Sequence, residues 1–461
     1  MKRFIDRVNE FQTLTNEYNR KGSSFVVIYG RRRLGKTTLI NEFCKDKRCI
    51  NFLATEEEES NNIRSFKDVV AEELGNKLLK EANINNWNTI FELIADSTKE
   101  EEKLIIVIDE FQYLGKSNPA FPSILQKIWD DTLSKKNIMF IICGSLIRMM
   151  QSQVLDYSSP LYGRRTAQIK MRQIPFAYYK DFYDGISQED LILRYSVTGG
   201  VPKYIELFEG EGSIEELIRQ NILNTGSFLY EEPEFLLRNE INEVGRYFTI
   251  LKTIALGKRK LGDISAAVEL PQTQISSYLK TLIDLDILTR DVPVTEDNPE
   301  KSKSGLYRIC DNYIYFWFRF IYPYRANIER GDTEWVLEKI NLSLKSNHAS
   351  FVYEDVCRED AYQRFKEEMG ITRIGKWWHK KEGEIEIVAL GENKEVLFGE
   401  CKYSVNPKGM GDLDKLLRQS EKVVWNNADR RSRYIIYSHS GFDEALTEYA
   451  EHRDDIFLIQ L

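Results

Sequence analysis

The stretch Phe25-Val26-Val27-Ile28-Tyr29-Gly30-Arg31-Arg32-Arg33-Leu34-Gly35-Lys36-Thr37-Thr38-Leu39-Ile40 constrains the fold more than any other. Residues 25–29 form an apolar run that predicts a buried strand, and residues 37–44 predict a helix. Gly30, four residues, then Gly35-Lys36-Thr37 is the spacing of a phosphate loop joining such a strand to such a helix. Each residue type has a reason. Glycines let the backbone curl so that several N–H groups face one phosphate. The helix presents its positive end there. Lys36 suits the terminal phosphates of a nucleoside triphosphate, and the Thr37 hydroxyl suits Mg2+.

A second signature strengthens the first. Leu104-Ile105-Ile106-Val107-Ile108-Asp109-Glu110-Phe111-Gln112 is an apolar run ending in two acids. A strand buried on both faces would deliver Asp109 to hold a magnesium-bound water and Glu110 to polarise the attacking water. A further strand, residues 138–142, runs into Cys143-Gly144-Ser145. Ser145 is a candidate for the γ-phosphate or the attacking water, or a cap for the next helix. Arg164 and Arg165, ahead of an alternating run at 167–171, suit transition-state charge stabilisation in cis or from a neighbouring subunit of a homo-oligomer. The other reading is a solvated arginine pair. Arg7 lies in a short segment ahead of the loop that suits either a cover over the nucleotide base or helix packing. Strands alternating with helices imply a mostly parallel, helix-covered sheet. Helical sequence is expected over 61–98.

At 461 residues the chain is long enough for about three domains. Residues 174–245 read as helical, punctuated by Gly199-Gly200-Val201-Pro202. Residues 246–311 read as a winged helix. Its third helix turns Ile275, Leu279 and Leu282 inward and Gln272, Gln274, Ser276 and Lys280 outward, a set that suits DNA edges. A lid or spacer is the competing reading. The aromatic stretch 312–345 suits core packing. The tail, 350–461, reads as a separate α/β unit. In it Glu400 and Lys402 are two apart on one predicted strand and share a face, and Glu386 lies on the strand before. Two carboxylates can bind a divalent metal, and a lysine beside them can orient water for phosphodiester attack. The competing reading is a charge pair on a solvent-facing sheet.

Other features exclude classes. No run approaches the about 18 apolar residues of a membrane span. The first residues lack an apolar signal segment, which points to the cytoplasm. Six scattered cysteines with no CxxC pair read as free thiols and make a zinc site unexpected. The net charge of −8 argues against a whole-surface nucleic-acid binder and leaves room for a local basic groove. Residues 362–418 carry 11 Lys/Arg against 10 Asp/Glu, no strong excess for phosphates.

Together these motifs resemble a prokaryotic, archaeal-type branch of the AAA+/STAND-like P-loop ATPases. The resemblance rests on residues 29–37 and 108–112, with Cys143-Gly144-Ser145, Tyr162-Gly163-Arg164-Arg165 and Gly199-Gly200-Val201-Pro202 as later signatures. It implies ATP and Mg2+ as ligands, with Gly30, Arg31, Arg32, Arg33, Leu34, Gly35, Lys36, Thr37, Thr38, Asp109 and Ser145 around the nucleotide. Thr37 and Asp109 would serve the metal, with Glu110 and Arg164 catalytic. The tail is similar to a restriction-endonuclease-like PD-(D/E)xK domain, with Glu386, Glu400 and Lys402 in the catalytic and metal positions. Glu386 stands where that pattern usually has Asp, and Glu354 fits its helical acid. The implied organisation is an α/β ATPase core with a parallel sheet (1–173), helical lid (174–245), winged helix (246–311), aromatic helical linker (312–349) and endonuclease-like domain (350–461). Two functions follow: an ATPase coupled to DNA binding or cleavage, and a nucleotide-controlled switch with a non-catalytic tail.

Overall fold

The computed structural model describes residues 4–379 and 383–461. The chain forms two compact units. One holds residues 1–174 with Val201–Lys203; the other holds Pro175–Gly200 with Tyr204–Leu461.

In the first unit, five strands lie in the order β2-β3-β4-β1-β5, all parallel. They are β1 (Ser24–Tyr29), β2 (Cys49–Leu53), β3 (Leu104–Asp109), β4 (Ile138–Gly144) and β5 (Ala167–Lys170). Strands β1, β3 and β4 are buried at every position. That explains their unbroken apolar runs: helices cover both faces, so no face is left for polar residues. Helix α1 (Val8–Asn19) precedes β1, and α2 (Lys36–Cys44) follows it. The helical sequence expected over 61–98 forms three helices: Glu59–Glu73, Lys77–Glu81 and Trp87–Asp96. Gly75 at φ 63 ends the first, and the Asn76 and Asn86 side chains cap the next two. Left-handed glycine and N-capping asparagine are strong local stops.

In the second unit, Gly199 closes helix Gln188–Thr198 at φ 59. Helices Val244–Ala255, Leu261–Val268 and Gln272–Asp284 precede an antiparallel pair, β6 (Leu288–Asp291) and β7 (Leu306–Ile309). On the third of these helices Ile275, Leu279 and Leu282 are buried, and Gln272, Gln274, Ser276 and Lys280 are exposed. The aromatic stretch is core: Tyr313, Phe316, Trp317 and Phe318 are fully buried, and the Trp317 indole donates to the Tyr230 carbonyl at 2.7 Å.

A second five-stranded sheet closes the chain, in the order β12-β11-β10-β9-β8. Its strands are β8 (Arg373–His379), β9 (Gly383–Leu390), β10 (Glu395–Lys402), β11 (Arg431–Ser438) and β12 (Ile456–Gln460). Strands β8, β9 and β10 pair antiparallel, while β10, β11 and β12 pair parallel. Helix Ser350–Phe365 packs Tyr353, Cys357 and Ala361 against one face, with Leu397 and Ile435. Helix Met410–Ser420 packs Leu413 and Leu416 against the other, with Phe398 and Ile436.

No described helix is long and apolar enough to cross a membrane.

Candidate functional site: a phosphate loop and a buried carboxylate pair

The parallel sheet brings three chain segments to one edge. Residues 30–35 leave the carboxyl end of β1, Glu110 follows β3 and Ser145 follows β4, and β4 lies between the other two strands. Ligands of open α/β sheets bind at that edge. The loop's conformation requires its glycines. Gly30 has φ 149, and a Cβ there would meet the Met171 carbonyl oxygen at 2.7 Å. Gly35 has φ 85 and sits just ahead of α2, and Arg33 between them has φ 70.

Lys36 is buried, and its ammonium donates to the Gly30 and Arg31 carbonyls at 2.8 and 2.9 Å. Burial holds its pKa below the ordinary lysine value, partly offset by the Glu110 and Asp109 charges. The loop therefore closes on its own lysine. Thr37 donates its hydroxyl to Asp109 Oδ2 at 2.7 Å, and Asp109 Oδ1 accepts the Glu110 backbone N–H at 2.9 Å. Hydroxyl and carboxylate oxygens at hydrogen-bond distance are the hard donor set that suits Mg2+. Thr37 and Thr38 are exposed, Leu34 and Arg31 are buried, and the Arg32 guanidinium donates to the Tyr113 hydroxyl at 2.7 Å.

Glu110 has φ 54, and its carboxylate is held from two sides. Ser145 donates to Glu110 Oε2 at 2.6 Å, and the fully buried Gln112 side chain donates to the same oxygen. Ser145 caps no helix. Its hydroxyl goes to Glu110, where the sequence suggested the γ-phosphate or the attacking water. Gln112 is a residue that motif spacing passed over. The signal was its place two residues after Glu110.

Arg7 has a defined place as well. It is buried, and one of its nitrogens donates to the Leu34 carbonyl at 3.0 Å and to the Arg172 carbonyl at 2.8 Å. It clamps the backbone of the phosphate loop from behind. Arg7→Ala should lower the unit's unfolding free energy by about 1.5–3 kcal/mol, the usual worth of charge-assisted bonds. It should also weaken ATP binding, measured by denaturant titration and by fluorescent-nucleotide titration. Unchanged affinity would show that the loop holds its shape without the clamp.

Arg164 lies elsewhere. It makes a two-pronged pair with Asp130, at 2.9 and 2.7 Å, and a bond to the Pro160 carbonyl. It precedes β5, and Thr166 bonds Phe25 at the start of β1. This is the amino edge of the sheet, roughly 16 Å of strand from the phosphate loop. Of the two catalytic roles read for Arg164, in cis or from a neighbouring subunit, this topology disfavours the first. Arg165 stacks 5.6 Å from the Tyr162 ring.

In the second sheet, β9 and β10 bring Glu386 beside Glu400 and Lys402. Lys402 Nζ lies 2.5 Å from Glu400 Oε1 and 3.5 Å from Glu386 Oε1. Lys415 of helix Met410–Ser420 reaches Glu400 Oε1 at 2.8 Å, a contact that sequence periodicity did not reveal. Glu400 is fully buried and Glu386 is 8% exposed, so the solvent-facing reading of this pair fails. Burial and the neighbouring Glu400 carboxylate push Glu386 up to about 9. Burial also opposes ionisation of Glu400, but the neighbouring Glu386 carboxyl and Lys402 outweigh it and hold Glu400 down to about 2. The pair thus carries one proton near neutral pH. Glu386 Oε2 and Glu400 Oε2 are buried without a hydrogen-bond partner. Glu354 is paired with Lys376 of β8, and its charge is felt at Glu386. Among the described residues no three His, Cys, Asp or Glu side chains gather as a metal cage. Two buried carboxylates still fit a magnesium site that keeps waters and substrate oxygens.

Comparison with known proteins places these features. The pattern of an ATPase domain found predominantly in Archaea matches residues 4–208. That of archaeal and bacterial proteins of unknown function matches 317–412. An uncharacterized protein of Methanocaldococcus jannaschii is 33% identical over 452 residues, 97% of this chain and 94% of the relative. An uncharacterized ATP-binding protein of the same organism is 24% identical over 314 residues, 56% of this chain and 87% of that protein. In fold, the chain is similar to a Walker-type ATPase of Pyrococcus abyssi. The TM-score is 0.51 at 19% identity, covering 68% of this chain and 96% of the other.

Proposed function

The chain belongs to this archaeal-type family of ATPases, and from that premise we propose that it couples ATP hydrolysis to metal-dependent action on DNA by its last domain. In this reading Lys36 leaves the Gly30 and Arg31 carbonyls for the terminal phosphates. Thr37 and Asp109 hold Mg2+, which would neutralise phosphate charge when bound. Glu110, fixed by Ser145 and Gln112, polarises the attacking water. Residues 246–311 act as a winged helix, with Gln272, Gln274, Ser276 and Lys280 toward DNA. Residues 350–461 act as a restriction-endonuclease-like domain.

The observation that carries the DNA reading is the buried meeting of Glu386, Glu400 and Lys402, with one carboxylate oxygen of each acid unpartnered. A buried orphan carboxylate oxygen is costly unless a cation meets it. The test is cleavage of supercoiled and linear duplex DNA with magnesium or manganese, with and without ATP. No cut under any condition would sink it.

One observation favours a second reading, a nucleotide-controlled switch with a non-catalytic tail. Both Lys402 and Lys415 already neutralise Glu400. An inert ion-pair core would look the same without metal. The cleavage assay separates the two.

We also propose that Arg164 acts across a subunit boundary of a homo-oligomer, since it lies at the far edge from its own phosphates. Mixing Arg164→Ala chains with Lys36→Ala chains should restore part of the ATPase activity that each lacks. No recovery in demonstrably mixed oligomers would assign Arg164 to its Asp130 pair alone.

A further inference from the structure

Cys44 and Cys49 lie outside every role described above. Cys44 is the last residue of α2, the helix that begins with Lys36, and Cys49 is the first residue of β2. Residues 45–48 carry the chain back between them. The two thiols are free and half-buried, and their sulfurs lie 3.0 Å apart. A disulfide needs about 2.05 Å. Closing the pair thus brings the sulfurs about 1 Å nearer. The chain order 44, 49 gave no hint of a pair, because the spacing matches no thiol motif.

The two thiols are chemically unequal. The Cys49 thiol donates to Cys44 Sγ. That hydrogen bond lowers the Cys44 pKa against the effect of burial, and the Lys47 ammonium adds to it. Lys47 is anchored by a 2.6 Å bond to the Phe43 carbonyl and lies 4.4 Å from the Phe43 ring centre. Donation and burial push the Cys49 thiol up. Thiolate character and access decide which cysteine an oxidant meets first. The two are equally half-buried, and the hydrogen bond that Cys49 donates makes Cys44 the attacking sulfur and Cys49 the resolving one. Cys143, Cys357 and Cys401 are buried away from solvent.

We propose that Cys44 and Cys49 are a reversible oxidant-modification site at the rear of the phosphate-loop helix, converted by hydroperoxide into an intramolecular disulfide. The Cys44 thiolate attacks one peroxide oxygen. The O–O bond breaks, and the leaving hydroxide takes a proton to become water. Cys44 is then a sulfenic acid. The Cys49 sulfur attacks Cys44 Sγ, the S–O bond breaks, and the hydroxyl leaves with the Cys49 proton as a second water. Two thiols lose two electrons and two protons, and one hydrogen peroxide becomes two waters. Small thiols reverse the bond by exchange. Closure of the disulfide stops Cys44 short of the irreversible acids.

The test treats the full chain with hydrogen peroxide, then alkylates it in denaturant and digests it with trypsin. Cleavage at Lys45, Lys47 and Arg48 puts the two cysteines on separate peptides. Those peptides should appear joined, with two hydrogens lost, and should separate with dithiothreitol. Cys49→Ser should accumulate Cys44 sulfenic acid, trapped by dimedone, at least about five-fold above wild type, because the resolving step is gone. Cys44→Ser should leave Cys49 alkylatable. A chain unfolded before peroxide should lose the preference, which ties it to the fold rather than to sequence proximity. If both thiols of the folded wild type stay alkylatable while exposed Cys310 oxidises, or if the unfolded chain links them equally well, the proposal is overturned.

Discussion

Glu110→Gln should leave ATP bound and reduce hydrolysis by about 10²–10⁴-fold, the usual worth of a positioned general base. The amide keeps the size of the side chain, so the Ser145 and Gln112 contacts change least. Lys36, Thr37 and Asp109 are untouched, and nucleotide affinity should stay within a few-fold. Single-turnover hydrolysis beside a fluorescent-nucleotide titration measures both. Equal hydrolysis by wild type and variant removes Glu110 from the mechanism. The pairing with Ser145 makes a second comparison informative. Ser145→Ala keeps the carboxylate but frees it, so its loss should be smaller than that of Glu110→Gln. A larger loss would give Ser145 a direct role at the phosphates.

The other large effect belongs to the last domain. Glu400→Gln and Lys402→Met should each lower metal-dependent DNA cleavage by at least about 10²-fold while ATP hydrolysis continues. Glu400 is fully buried and pairs with two ammonium groups, so truncation to alanine would remove the nearer partner of Lys402 and the partner of Lys415 and destabilise the domain. The near-isosteric Gln avoids that confusion, and circular dichroism of each variant checks the fold. Glu386→Asp is the sharper probe. It restores the residue usual to the resembled nuclease pattern and should retain or raise cutting. Loss of cutting by Glu386→Asp, with Glu400→Gln also inactive, would mean that the longer side chain is required at the metal. Cutting that survives Glu400→Gln and Lys402→Met would place the nuclease elsewhere.

What sequence reading missed has one physical origin. The breaks inside the helical sequence of 61–98 come from local signals, Gly75 and the two asparagine caps. Such features are legible in the sequence. Others are not. For Ser145 the sequence left the γ-phosphate, the attacking water and a helix cap open, and only the packing of β4 beside β3 puts its hydroxyl on Glu110. For Arg164 the sequence left a role in cis, one from a neighbouring subunit and a solvated pair all open. Strand direction puts it at the opposite edge.

By itself the sequence determined the parallel sheet, the phosphate loop and the two acids after β3. These are local facts: a doubly buried strand must be apolar throughout, and a loop that wraps phosphate must carry glycine where φ is positive. It also placed Glu400 and Lys402 on one face, because strand side chains alternate with period two. Only the tertiary structure decided which face was buried, and that Lys415 and Glu386 meet Glu400 there. It alone decided that Arg7 clamps the loop, that Gln112 holds Glu110 and that Cys44 meets Cys49. Such meetings depend on strand order, register and the return path of the chain. No period within a segment encodes them, since each joins residues whose neighbours in sequence point elsewhere.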